Sequence, residues 1–325
     1  MRVINLHPEG ATSSEAYGVS RGQQVGRALF DGVWCAILWN GSADSWVNLT
    51  PAGMEWSEAY SVHCGQQVGI VQVHGMSRAI LWNGSADSWV DLTPARAAQA
   101  KTHSVHSGQQ VGSALVDGQP RASLWSGSAE TWIDLHPPRT MHSYALGVHN
   151  SLQVGTVFVD GCFRASLWNG SADSWVDLHP IRATESWALS VYGKHQVGYA
   201  VVDGCLRASL WYGSADSWVD LTPAGAWKSK AHAVHGVWQV GYAQVGYVHH
   251  ASLWSGDAEF WVDLHQFLSQ EFFSSEAHGI CEDSGVICVV GWGFNRVANR
   301  VEALMWVMSE RECLLACHAQ GRRKA

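Results

Sequence analysis

His63, His106 and His149 stand 43 residues apart, and His235 stands two such intervals further on. Each follows a valine and precedes a turn-forming stretch. The same place in the other copies of the pattern holds Ser20, Tyr192 and Cys281. Imidazoles brought together in this way offer a site for a borderline divalent metal such as zinc. A metal held there would suit a metal-assisted hydrolase. The competing reading is structural. Each histidine sits at a strand end, where a ring nitrogen can satisfy a turn carbonyl. A ring of seven side chains is also too wide for one tetrahedral ion unless they reach inward.

Tryptophan supplies the second candidate set. Of 19 tryptophans, 13 occupy two repeated positions, for example Trp39 with Trp46 and Trp168 with Trp175. Next to leucine in a strand, such rings are expected to pack between neighbouring blocks, each burying some 150–250 Å². The irregular ones are Trp34, Trp56, Trp187, Trp227, Trp238 and Trp292. Trp56, Trp187, Trp227 and Trp238 are the candidate platforms for stacking a sugar, and Trp56 and Trp227 are expected in links between blocks.

Other repeated polar residues read as scaffolding. Arg78, Arg121, Arg164 and Arg207 open a strand, and acids such as Asp87 and Asp91 follow in the next turn and strand. An Arg and carboxylate ladder is the expectation. Gln24, Gln67 and their equivalents are expected to be buried amides bonding between blocks. Cys313, Cys317 and His318, with Cys281 and Cys288, do not match a standard zinc or haem spacing and are read as buried thiols. Nucleophile elbows, phosphate loops and dinucleotide fingerprints are missing.

The elements that position these residues follow from the period. Leu-Trp ends at Trp39, Trp82, Trp125, Trp168, Trp211 and Trp254, with a degenerate copy at Trp306. In the second copy, Ala59–His63, Gln67–Val73, Arg78–Trp82 and Ser88–Leu92 read as four strands. Pro94 ends the last by removing a backbone donor. Four short strands per 43 residues make one propeller blade. Seven copies predict an all-β, seven-bladed propeller over residues 1–308 and a short helical tail over 309–325. The opening Val3-Ile4-Asn5-Leu6-His7-Pro8 repeats the closing element of a blade, as in Trp-Val-Asp-Leu-His-Pro at Trp175–Pro180. It is therefore expected as the outermost strand of blade seven, which has about nine extra residues within Glu282–Arg300.

The order Ala-x-x-Val, Gly-Gln-x-Val-Gly, Arg-Ala-x-Leu-Trp, Asp-Leu resembles the bacterial HAF-type repeat over roughly residues 1–307. In the second copy the matching positions are Ala59, Val62, Gly65, Gln67, Val68, Gly69, Arg78, Ala79, Leu81, Trp82, Asp91 and Leu92. The resemblance implies a propeller-like module of a kind often found in exported proteins, and it carries no catalytic residues.

Composition narrows the partners. The chain has 325 residues, is 47% hydrophobic and 15% charged, and carries a net charge of −8. It can bury a large core, and its charge argues against a nucleic-acid partner. No apolar run of about 18 residues exists, so no membrane span is expected. The cysteines share no single repeat position, although Cys162 and Cys205 occupy the same one in adjacent copies, and this favours a reducing compartment. A cytoplasmic monomer is expected from the sequence as it stands, or an extracellular one if an export signal was removed. Near-identical blades suit a non-catalytic scaffold or binding protein, its partner a protein or a carbohydrate. The lectin-like and metal-assisted readings stand beside it, with no cofactor expected beyond a divalent metal in the channel.

Overall fold

The computed structural model describes residues 1–321, with side chains described through Ala316. Seven four-stranded antiparallel sheets stand in a ring. Blade one is formed by Ser13–Ser20, Gln23–Phe30, Val33–Trp39 and Val47–Asn48, from the inside outwards. The fourth strand is only two residues long in blades one to five.

Local chemistry sets the hairpins. Arg21-Gly22, Asp31-Gly32, Cys64-Gly65 and His74-Gly75 all have positive φ at both residues. Such two-residue turns match the twist of paired strands. The Asn-Gly pairs lie elsewhere, at the start of the third connection. There a short 3₁₀ turn such as Ala86–Ser88 is closed by the Ser88 hydroxyl, which accepts from Asn83 N at 2.8 Å and donates to Ser85 O at 2.6 Å.

The repeated glutamine acts within a blade, not between blades as its repetition suggested. Gln24 Nε2 donates to Gly22 O at 2.9 Å, and its Oε1 accepts from Gly41 N at 2.8 Å. One buried amide thus ties the first turn of a blade to its last. The expected arginine ladder forms in part, closely at two of the four positions, with Arg207 4.0 Å from Asp220. Arg121 and Arg164 meet Asp134 and Asp177 at 2.9 and 3.0 Å. The Asp134 and Asp177 carboxylates also accept the backbone N–H groups of His136 and His179.

Blades meet through apolar layers. Val25, Ala36 and Leu38 of blade one pack on Ala59, Val62, Ile80 and Trp82 of blade two. Trp39, Trp82, Trp125, Trp168, Trp211, Trp254 and Trp306 are fully buried. Each contributes up to roughly 4–6 kcal/mol before entropy.

The ring closes as the opening residues suggested. Arg2–Asn5 pairs antiparallel with Arg300–Ser309, with Val3 opposite Trp306 and Asn5 opposite Leu304. Leu6 is fully buried beside blades seven and one. The extra residues of blade seven lengthen its strands to Phe272–Asp283, Val286–Asn295 and Arg300–Ser309 instead of forming a loop.

A helix, Glu310–Gly321, follows directly. Its Cys313 is buried with blades six and seven, and Glu312 meets the N-terminal ammonium at 2.6 Å. Cys281 and Cys288 lie in a different layer, between blades seven and one. Cys313 therefore does not join them in one site, and the side chains of Cys317 and His318 lie outside the described residues. Among the described residues no helix is long and apolar enough to cross a membrane.

Candidate functional site

Each inner strand runs from the inter-blade link to the first hairpin turn. The channel therefore has a link end and a turn end, and the two are built differently.

The turn end holds the expected ring. Ser20, His63, His106, His149, Tyr192, His235 and Cys281 all line one depression of about 460 Å³. Successive rings touch at a tilt: His63–His106, His106–His149, His149–Tyr192 and Tyr192–His235 centroids lie 4.2, 4.4, 4.3 and 4.4 Å apart, with 39–41° between planes. The backbone N–H groups of Ser107, Asn150 and Gly193 donate to Nδ1 of His63, His106 and His149, at 3.1–3.3 Å. These bonds join one blade to the next. They also run opposite to expectation, since the ring accepts from an amide and does not donate to a carbonyl. With Nδ1 accepting, the neutral ring carries its proton on Nε2. For these three histidines neither nitrogen presents a free lone pair to the channel. Burial and the neighbouring imidazoles push His106 down to about 4. Burial also lowers His63, His149 and His235.

The link end owes its chemistry to a backbone irregularity. Every inner strand carries a β-bulge, which shifts the register after an alanine or threonine, as between Ala16 and Gly18 or Ala59 and Ser61. The glycine of Gln-x-Val-Gly makes room for it: a Cβ on Gly69 would lie 1.9 Å from Glu58 O. The bulge leaves one extra residue per blade facing the channel. These are Tyr17, Tyr60, His103, Leu146, Leu189, His232 and His278. Two residues before each stand Glu15, Glu58, Lys101, Tyr144, Trp187, Lys230 and Glu276. These two rows differ in every sector.

Blades one and two form an acidic, aromatic sector. Arg27 bridges Glu15 at 2.9 Å and Glu58 at 2.5 Å, and its guanidinium lies 4.0 Å over the Trp34 ring. Tyr17 donates to Glu15, and Tyr60 to Glu58 at 2.5 Å. Burial and these carboxylates raise both phenols far above their usual range, so they stay protonated.

Blades three to five wall a cavity of about 390 Å³ with Gln99, Lys101, His103, Tyr144, Leu146 and Trp187. Tyr144 and Trp187 stack at 6.2 Å with 21° between their planes. Burial and the Lys101 charge hold His103 down at about 4, so it is neutral near pH 7.

Blades six and seven supply His232, Glu276 and His278, whose ligand atoms lie within 4.8 Å of one another. Burial, His278 and Lys230 hold His232 well below its usual value. Burial pushes the Glu276 carboxyl up, but the His249 hydrogen bond and the neighbouring histidines outweigh it and keep the carboxyl ionised.

The tryptophan candidates scatter. Trp187 lies in the cavity wall. Trp56 is the first residue of an inner strand, not part of a link, and lines a smaller pocket of about 230 Å³ with Trp34 and Glu58. Trp227 lies in a link and is 67% exposed. Trp238 is 3% exposed and packed between blades six and seven, so it belongs to the core and not to a ligand surface. The bulge row was missed, because a bulge leaves no mark on the alternation of residue types. A signal existed: the residues flanking the central Ala or Thr change from copy to copy, while the Ala or Thr itself and the Val or Ile three residues on hardly do.

No family model and no curated protein matches the chain. The HAF-type resemblance is therefore unsupported, while the seven-bladed propeller it implied stands. Solved structures share that fold. The β-propeller domain of the trilobed protease from Pyrococcus furiosus, described as having an open velcro topology, aligns with a TM-score of 0.63 and 9% identity, over 91% of this chain and 97% of that one. Oligogalacturonate lyase in complex with manganese aligns with a TM-score of 0.59 and 11% identity, over 96% and 94%. Puromycin hydrolase aligns with a TM-score of 0.58 and 11% identity, over 92% of this chain. The chain spans 56% of that hydrolase. At these identities the likeness concerns the fold alone.

Proposed function

We propose that this protein is a non-catalytic binding propeller whose ligand, a hydroxyl-rich molecule of the carbohydrate class, seats in the cavity of blades three to five. The observation that carries the proposal is the near-parallel Tyr144 and Trp187 pair beside Gln99, Lys101 and His103 in one 390 Å³ space. That volume falls in the range of small-molecule sites, roughly 300–1,000 Å³. An aromatic face takes the C–H face of a sugar ring. An amide, an ammonium and a neutral imidazole supply donors and acceptors for its hydroxyls. One structural neighbour is named for oligogalacturonate, itself a carbohydrate. It supports the reading only to the extent that the fold accommodates such molecules.

A glycan array followed by calorimetry tests this. A saturable glycan signal is expected, and Trp187→Ala should weaken it by about 2 kcal/mol, or some 30-fold. Changing His106 at the other end should leave it intact. A blank array, or binding indifferent to Trp187→Ala, would overturn the proposal.

A further inference from the structure

We infer that His232, Glu276 and His278 form a binding site for a divalent first-row transition ion, distinct from both the histidine ring and the sugar cavity. Two imidazoles and one carboxylate are a recurrent ligand set for such ions. Around a tetrahedral ion with bonds of about 2.0–2.1 Å, ligand atoms lie about 3.3 Å apart. Here Glu276 Oε2 lies 3.4 Å from His278 Nε2 and 3.8 Å from His232 Nε2. The third edge, between the two imidazoles, is no longer than 4.8 Å, so binding would draw the rings together.

Three observations on the surroundings of these atoms favour coordination of an ion. First, His232 Nε2 is shielded from solvent and has no hydrogen-bond partner among the described residues, a costly state for a buried polar atom. Second, the Trp292 indole N–H donates to His278 Nε2 at 3.1 Å. An indole only donates, so this nitrogen bears a lone pair. That lone pair lies 3.4 Å from a carboxylate oxygen, two acceptors side by side. A cation that displaces the Trp292 N–H from this lone pair would gain two bonds, one to the imidazole and one to the carboxylate. Third, the other carboxylate oxygen is already fixed. His249 Nδ1 lies 2.7 Å from Glu276 Oε1, and the His249 ring stacks on Tyr242 at 4.1 Å. A carboxylate oriented by an outer histidine is the usual support of a metal ligand. Backbone geometry places the triad, since His232 and His278 are the bulge residues of adjacent blades. One charge opposes the ion: the Lys230 ammonium, which lies 5.1 Å from the Tyr199 ring.

Zinc is the probe. The full chain, dialysed against zinc and then buffer, should retain one equivalent by elemental analysis and give a saturable isotherm. Glu276→Gln should abolish both with unchanged circular dichroism. His249→Ala, a positioning change, should weaken binding by about 10–100-fold. Lys230→Met removes the opposing charge without touching a ligand, and should tighten it. Cobalt(II) in place of zinc should give the strong visible bands of low-coordinate cobalt. A lack of stoichiometric zinc would overturn the inference. So would zinc that survives Glu276→Gln but is lost on changing His106 or Cys288, which would put the ion at the ring or the cysteine pair. Glycan binding and Trp187→Ala report on the cavity alone, so either proposal can fail without the other.

Discussion

The two ends of one channel use the same residue type to opposite effect. At the turn end, histidines repeat and spend their nitrogens on the next blade: His63, His106 and His149 each accept a backbone N–H. At the link end, His103, His232 and His278 sit three residues earlier on the same strands, where the neighbours change in every sector. There a ring nitrogen is left without a partner or set against a carboxylate. Symmetry lets identical side chains satisfy one another. Departure from symmetry is what leaves a group available to something else.

That contrast presupposes a closed frame, and opening the frame gives the largest expected effect. Deleting residues 1–8 removes the strand on Arg300–Ser309 and the buried Leu6. Urea denaturation should show a loss of at least about 3 kcal/mol, from Leu6 alone. Unchanged unfolding would mean that the ends do not depend on ring closure.

Next in size is a paired substitution, one at each end. Arg27→Met strands Glu15 and Glu58 beside each other and should cost about 2–3 kcal/mol, scaled down from a fully buried triad because all three side chains are partly exposed. His106→Phe keeps the stack but leaves the Asn150 N–H without its acceptor, at about 1 kcal/mol. Equal costs would erase the distinction between an irreplaceable sector and an interchangeable one.

Acid gives the smallest and most discriminating effect. His103 and His106 are both held at about 4, below the unfolded value of about 6.5. Between those values the unfolded chain binds more protons, so stability is complete above pH 6.5 and falls as pH drops toward 4. Thermal melts across this window should show the decline, and His103→Gln and His106→Gln should each flatten it. Burial is the largest cause at both positions and is not screened, so the decline should persist in added salt while the smaller contributions of the ring imidazoles and of Lys101 fade. A decline abolished by salt would contradict burial as the main cause.

Much of this was legible before any coordinates. A 43-residue period, leucine beside tryptophan and a spare closing element specify blades, their number and how the ring shuts, because burial must repeat when the backbone does. The ring of Ser20, His63 and their equivalents was legible for the same reason. What escaped was set by three-dimensional neighbours. Gln24 turns back to its own blade because the two turns it joins come together only in the folded sheet. Trp238 replaces a residue that is glutamine in three other copies, and its ring falls into the layer between blades six and seven. Glu276 repeats Glu15 and Glu58 in the sequence, and nothing there sets it or His278 apart. Only the bulge brings them beside His232.

The strand Arg2–Asn5 has a consequence for time as well as for shape. Asn5 reaches Glu302 across a sequence separation of 297. Arg2–Asn5 therefore waits for all seven blades to be synthesised before it finds its partner. Contacts this distant are slow to form, because the loop must close before any bond rewards it. During that interval the edge at Arg300–Ser309 stands unpaired and open to another chain's strand. The last step of folding is thus a race between the protein's own beginning and a neighbour's edge, and dilution should favour the former.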